Sequence, residues 1–191
     1  MDKNKLKAAF DKSGSDKSST HKYESGYAQI LPESVSNLLE IGIANGYATV
    51  SSLTAWAELY PNAQIVGADI VPEKMINTRT IRSFLVDQSS RDSLEQFKSG
   101  VGMQFDVIID DGSHYFMDAL LTYEMLFDDL LKNDGIYIIE DIGKEGSWAQ
   151  MKHQWEAYMI TVDQVTYGFI DTRPEISNDD SLLLWIKKVV N

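Results

Sequence analysis

Acids stand where three apolar runs of this sequence stop. Ile108-Ile109-Asp110-Asp111 runs into Gly112-Ser113-His114, Ile138-Ile139 runs into Glu140-Asp141, and Leu38-Leu39 runs into Glu40-Ile41-Gly42. Carboxylates are hard oxygen ligands, and magnesium holds an octahedral oxygen shell in which it keeps several waters. Asp111 with Glu140 and Asp141, at adjacent strand ends, could form such a face and leave positions for two oxygens of a vicinal diol. A divalent cation lowers the pKa of a bound hydroxyl, and a neighbouring base then removes its proton. His114, three residues beyond Asp111, could be that base. Singly, each residue has a plainer role: Asp111 can cap a helix, His114 can lie idle on the surface, and Glu140-Asp141 can be a solvated loop. The combination points to metal. Asp110 alternates to the other side of its strand and supports the loop.

The loop after Glu40 has a different use. Glu40-x-Gly42-Ile43-x-x-Gly46 turns tightly and lets a ligand approach peptide atoms with no Cβ in the way. Asp69, followed by Ile70, ends the next apolar run 23 residues past Gly46, where an acid can accept both hydroxyls of a ribose. Asp87 and Gln88 end a third run and could face an adenine, with Asp87 accepting from its amino group or else serving as a helix cap. The dinucleotide fingerprint wants Gly-x-Gly-x-x-Gly, whereas the close first pair of glycines is missing here. An acid two residues before Gly42 suits an amino-acid cofactor, so S-adenosylmethionine is favoured over a nicotinamide nucleotide. A nicotinamide oxidoreductase and a silent nucleotide-binding scaffold are the alternatives.

The elements that position these residues follow from periodicity. Short apolar runs at 38–41, 64–69, 82–87, 105–111 and 136–141 alternate with helical patterns at 47–60, 92–98 and 116–131. That order means a parallel sheet covered by helices on both faces, with ligands at the carboxyl ends of its strands. After a helix carrying Trp148, Met151, Trp155 and Tyr158, the runs 164–171 and 181–186 lack a helix between them and predict an antiparallel hairpin. The aromatic residues of that helix could line an acceptor pocket, but helical spacing equally suits core or a subunit interface.

With 191 residues, 43% hydrophobic, the chain can bury one domain core. No run approaches the length of a membrane span, and Met1–Lys7 has no apolar stretch of a secretory signal, so a cytoplasmic location is expected. Cysteine is absent, which removes disulfides, thiolate metal sites and a cysteine nucleophile. A net charge of −12 argues against nucleic acid and anionic membranes as partners.

Together, Glu40-Ile-Gly-Ile-Ala-Asn-Gly46, Asp87-Gln88, Ile108-Ile-Asp-Asp-Gly-Ser-His114 and Ile138-Ile-Glu-Asp-Ile142 resemble the metal-dependent O-methyltransferases of antibiotic-sugar biosynthesis, the mycinamicin and macrocin type, and the related cephalosporin-hydroxylase-like group. Ser15-Asp-Lys-x-x-x-His21-x-Tyr23 and Asn178-Asp-Asp-Ser-Leu-Leu183 resemble the same family. The resemblance implies a Rossmann-like class I methyltransferase fold: a seven-stranded, mostly parallel sheet with a C-terminal hairpin. It implies S-adenosylmethionine at Glu40, Gly42, Ile43, Gly46, Asp69, Ile70, Asp87, Gln88 and Asp110, a divalent ion, usually magnesium, at Asp111, Glu140 and Asp141, and His114 as general base. The acceptor would be a hydroxylated small molecule such as a sugar, nucleotide sugar or glycoside. Residues 1–33 would form an N-terminal segment that could close as a lid, or a basic, flexible leader, with the methyltransferase domain at 34–191. Asn133-Asp134-Gly135 stands where the family more often has Pro-Gly-Gly. The chain has no room for the extra domain some members carry, which points to a homo-oligomer whose second subunit completes the pocket.

Overall fold

A computed structural model describes residues 1–43, 51–144, 147–175 and 180–189. Three helices open the chain: α1 (Lys3–Ser13), α2 (Asp16–Ser19) and α3 (Glu24–Ile30). Then β1 (Asn37–Ile41), α4 (Ser51–Leu59), β2 (Gln64–Asp69), β3 (Ile81–Leu85), α5 (Arg91–Val101), β4 (Phe105–Asp110) and α6 (Phe116–Leu130) follow. The chain ends with β5 (Leu131–Ile139), α7 (Trp148–Met159), β6 (Val165–Asp171) and β7 (Leu182–Lys188).

The strands form one seven-stranded sheet in the order β3-β2-β1-β4-β5-β7-β6. β1 to β5 pair in parallel, while β7 runs antiparallel to both β5 and β6. The expected C-terminal hairpin is therefore present, and β7 inserts between its partner and β5. Buried apolar strands such as Leu38-Leu39 and Val107-Ile108-Ile109 reflect coverage of both faces. One core cluster joins the sheet to α5, α6 and α7 through Leu94, Phe97, Leu126 and Trp155. The other joins it to α1, α3 and α4 through Phe10, Tyr27, Leu53 and Trp56.

Two differences from the sequence reading have local causes. β5 starts at Leu131, and Asn133-Asp134-Gly135, which precede the apolar run at 136–141, lie inside it. The register of β4 against β5 shifts there, from Phe105 beside Leu131 to Val107 beside Ile136, with Asp134 at φ 62°. This is a bulge that takes up extra residues. The strands also stop short of the acids: β4 ends at Asp110 and β5 at Ile139, which leaves Asp111, Glu140 and Asp141 just past the sheet edge.

The N-terminal segment is built into the second core. Asp2 caps α1 by accepting from the Lys5 amide at 2.9 Å, and Gly14 ends the helix at φ 76°. Phe10 meets Trp56 edge-on at 5.1 Å, and Tyr27 meets the same indole at 5.3 Å. Phe10→Ala is thus expected to cost about 3–5 kcal/mol in urea unfolding. A segment that merely rested on the surface would lose less than about 0.5 kcal/mol.

Candidate functional site

The sheet order reverses direction at β1 and β4, whose carboxyl ends diverge and leave a crevice. A cavity of about 410 Å³ opens there. Of the expected residues, Gly42, Ile43, Asp69, Ile70, Asp87, Gln88, Asp111, His114, Glu140 and Asp141 line it. Gly46 lies outside the described residues. Glu40 and Asp110, both buried, do not line it.

The β1 side is a backbone turn held by side chains. Gly42 sits at φ 80°, and a Cβ there would lie 1.9 Å from the Asp111 carbonyl oxygen. The turn after β1 and the turn after β4 are thus packed back to back, with Gly42 N donating to Ala68 O and Asp111 N to Ile41 O, both at 2.8 Å. Asp69 accepts from Ile43 N at 2.8 Å through one oxygen and from Val71 N at 2.9 Å through the other. Asp87 closes a small turn through Ser89, accepting from its amide at 3.0 Å and its hydroxyl at 2.7 Å.

Gln88 acts as a clamp. Its Nε2 donates to Asp110 Oδ1 at 2.6 Å, and its Oε1 accepts from Ser113 N at 2.8 Å. Asp110 also accepts from Tyr137 Oη at 3.3 Å. Burial pushes Asp110 up to about 7 against the pull of these donors. Its place is to hold Gln88 and the loop before His114, as alternation along the strand suggests.

The other half of the cavity is a group of donors. Ligand atoms of Asp111, His114 and Asp141 all lie within 4.8 Å of one another. Two of the three have left-handed backbones, His114 at φ 62° and Asp141 at φ 53°. Non-glycine residues in this region carry strain that clusters at functional sites. Tyr23 fixes Asp141 by donating to Oδ1 at 2.6 Å, and its hydroxyl oxygen accepts from the Asp141 amide at 3.2 Å. His21 approaches the same carboxylate at 3.4 Å. Above the group, Lys144 Nζ lies 3.2 Å from His114 Nε2 and 3.3 Å from Asp141 Oδ2. An ammonium can only donate, so it assigns the imidazole lone pair to Nε2. Burial lowers the His114 pKa, although Asp111 and Asp141 pull the other way.

Glu140, expected beside Asp141 as a ligand, is turned from this group. Its carboxylate accepts from Tyr27 Oη and from Lys17 Nζ, the latter at 2.7 Å. The same ammonium lies 2.7 Å from Asp111 Oδ2 and 3.1 Å from Glu40 Oε1. Trp56 Nε1 donates to the other Glu40 oxygen at 3.2 Å. Lys17 is 1% exposed and Glu40 fully buried. Burial opposes the lysine charge, but Asp111, Glu140 and Glu40 outweigh it and hold the ammonium well above the ordinary lysine range. Burial likewise raises Glu140 despite Lys17.

The sequence motif Ser15-Asp-Lys-x-x-x-His21-x-Tyr23 contained three of these contributors, but not their place under the cavity. Tyr27 and Lys144 were missed. Tyr27 stands four residues after Tyr23 and Lys144 three residues after Asp141, and that spacing from a residue already singled out was the available signal.

No family model matches the chain. Among curated proteins it is similar to mycinamicin VI 2''-O-methyltransferase of Micromonospora griseorubida, 33% identical over 109 residues covering 55% of this chain and 27% of that protein. It is also similar to L-olivosyl-oleandolide 3-O-methyltransferase of Streptomyces antibioticus, 30% identical over 145 residues covering 74% of this chain and 36% of that protein. The chain thus spans about a third of the length of these relatives. Among solved structures, a MycE methyltransferase of mycinamycin biosynthesis in complex with Mg, SAH and mycinamycin VI superposes with a TM-score of 0.73 at 21% identity, covering 96% of this chain and 53% of that one. A putative rRNA-methylase from Clostridium thermocellum reaches 0.64 at 14% identity, covering 89% and 96%. The fold is the class I methyltransferase fold, and the relatives found by sequence are of the type that the motifs resemble.

Proposed function

We propose that this chain is an S-adenosylmethionine-dependent O-methyltransferase that uses a divalent cation and methylates a hydroxyl of a sugar or glycoside. The observation that supports it most is one cavity with two chemically distinct halves. The turn at Gly42 with Asp69 and Asp87 is on one side, and the donor group Asp111, His114 and Asp141 is on the other.

The residues present fit both groups. A volume near 410 Å³ lies within the range of about 300–1,000 Å³ usual for small-molecule sites. Asp69 puts a carboxylate on the cavity wall, the acceptor chemistry that ribose hydroxyls need, and Gly42 lines the wall beside it. Asp111 and Asp141 supply the hard oxygens that magnesium takes. When bound, the cofactor supplies an electrophilic methyl group and the cation makes an acceptor hydroxyl more acidic.

The rest falls to this chain's own side chains. His114, neutral because burial lowers its pKa, holds a lone pair at Nε2 and would take the proton of the acceptor hydroxyl as that oxygen is methylated. Lys144, which now donates to that nitrogen, has to yield it to the substrate. Tyr23 and Lys17 keep Asp141 and Asp111 in place. Alignment of acceptor oxygen with the methyl carbon supplies most of the remaining rate.

The net charge of −12 supports a small acceptor over an RNA backbone, although rRNA-methylases share the fold. Among the described residues, no helix is long and apolar enough to cross a membrane. Calorimetry tests the reading: S-adenosylhomocysteine is expected to bind in the micromolar range and NAD not to compete with it. Magnesium is expected to bind the same protein, and a hydroxylated sugar or glycoside to accept labelled methyl. Failure of S-adenosylhomocysteine to bind would overturn it.

A further inference from the structure

We propose that Gln88 is a positioning residue for the base: its amide ties the cavity wall after β3 to the Ser113 peptide and so holds His114 where it can act. This rests on the proposed function, which names His114 as the base, and gives Gln88 a task that contact with a cofactor does not require. Gln88 is buried, comes from the turn after β3, and lines the cavity. Its partners belong to the end of β4, although β2 and β1 lie between those two strands in the sheet.

A carboxamide has one donating and one accepting end. Asp110 Oδ1 accepts from Gln88 Nε2 at 2.6 Å and from the Gly112 amide at 3.3 Å, while its Oδ2 accepts from Tyr137 Oη. The donating end of Gln88 is thus committed to Asp110. That turns Oε1 toward the loop, where it accepts from Ser113 N at 2.8 Å. The approach is close, since a Cβ on Gly112 would lie 2.1 Å from this Oε1 and push the amide aside. Ser113 is also held from the other side: its Oγ donates at 2.8 Å to Asp118 Oδ2 on α6. His114 follows with φ 62°, a conformation that persists in a non-glycine residue only when its surroundings over-determine it. Gln88 from one wall and Asp118 from the helix supply that constraint through the one serine.

A cofactor contact and a positioning residue predict different losses. Gln88→Met keeps the length of the side chain and removes both hydrogen bonds. Its affinity for S-adenosylhomocysteine by calorimetry is expected to stay within about threefold of the parent, or ~0.7 kcal/mol. At saturating labelled S-adenosylmethionine, kcat for methyl transfer to a sugar or glycoside is expected to fall about tenfold or more, with KM for the cofactor held. Hydrogen exchange over residues 111–116 should speed up about tenfold in the same variant, with α5 unchanged. An unmoved kcat, a lost cofactor affinity with kcat intact, or unaltered exchange over 111–116 would each overturn the positioning role.

Reversing the polarity of the pair tests the link itself. Gln88→Glu sets a second carboxylate against Asp110 and is expected to lose turnover. Adding Asp110→Asn restores a donor toward position 88, whose side chain still accepts from Ser113 N. The double variant is expected to turn over about tenfold faster than Gln88→Glu alone, a coupling that two unconnected residues do not give. No gain over the single variant would sink the link, and the comparison holds even where Gln88→Met fails to fold. The two readings fail separately. A parent protein that binds no S-adenosylhomocysteine refutes the proposed function, whereas a parent that binds it and turns over, with kcat unmoved in Gln88→Met, refutes the positioning role alone.

Discussion

Gly42→Ala is expected to abolish binding of S-adenosylhomocysteine and to destabilise the fold in the same step. The residue is at φ 80°, where a Cβ costs about 1–2 kcal/mol on backbone grounds alone. The larger problem is the neighbour, since that Cβ would meet the Asp111 carbonyl oxygen at 1.9 Å and the Gly112 Cα at 2.6 Å. Neither atom belongs to a flexible side chain that could rotate away. The turn after β1 or the turn after β4 must shift by about an ångström, and displacements of that size cost roughly a hundredfold where groups must be aligned. Both halves of the cavity change together, so calorimetry with S-adenosylhomocysteine and with Mg²⁺ should show both affinities falling. Retention of cofactor affinity within threefold would mean that this turn does not contact the cofactor.

His114→Ala should separate binding from turnover. The variant keeps Gly42, Asp69 and Asp87, so S-adenosylhomocysteine affinity is expected to remain within about twofold, or ~0.4 kcal/mol. Turnover should fall by roughly 10²–10⁴, the usual contribution of a positioned base. The pH profile gives a second measure. A base works when deprotonated, so activity rises with pH to a plateau. Burial lowers the His114 pKa, which puts the acidic limb of that rise below the ordinary histidine value. That limb should vanish in the variant. Full activity in His114→Ala on a verified acceptor would assign the base elsewhere.

Much of the sheet was legible because a parallel strand buried on both faces writes itself as a short apolar run. The acids that end such runs, Asp69 and Asp111 among them, then fall at one edge by topology alone. The bulge at Asn133-Asp134-Gly135 was not legible, since those residue types signal a turn as readily as an irregularity within a strand. Local sequence also concealed which way a carboxylate faces. Glu140 and Asp141 are neighbours in the chain, yet one meets Lys17 and Tyr27 while the other joins Asp111 and His114, separated by a left-handed backbone at Asp141. Glu40 reads as a ligand contact from its place before Gly42, but its partners Lys17 and Trp56 come from helices whose packing no spacing rule supplies. Long-range electrostatics decided these positions, and it is invisible to periodicity.

The bond from Trp56 to Glu40 gives the molecule an intrinsic optical reporter. The indole is fully enclosed, and its Nε1–H ends on the carboxylate that Lys17 also grips. Fluorescence of a buried indole responds to nearby charge, so events at the cation edge reach a chromophore through only two side chains. The chain has four tryptophans, and a version retaining Trp56 alone would report on that edge in real time with no attached dye.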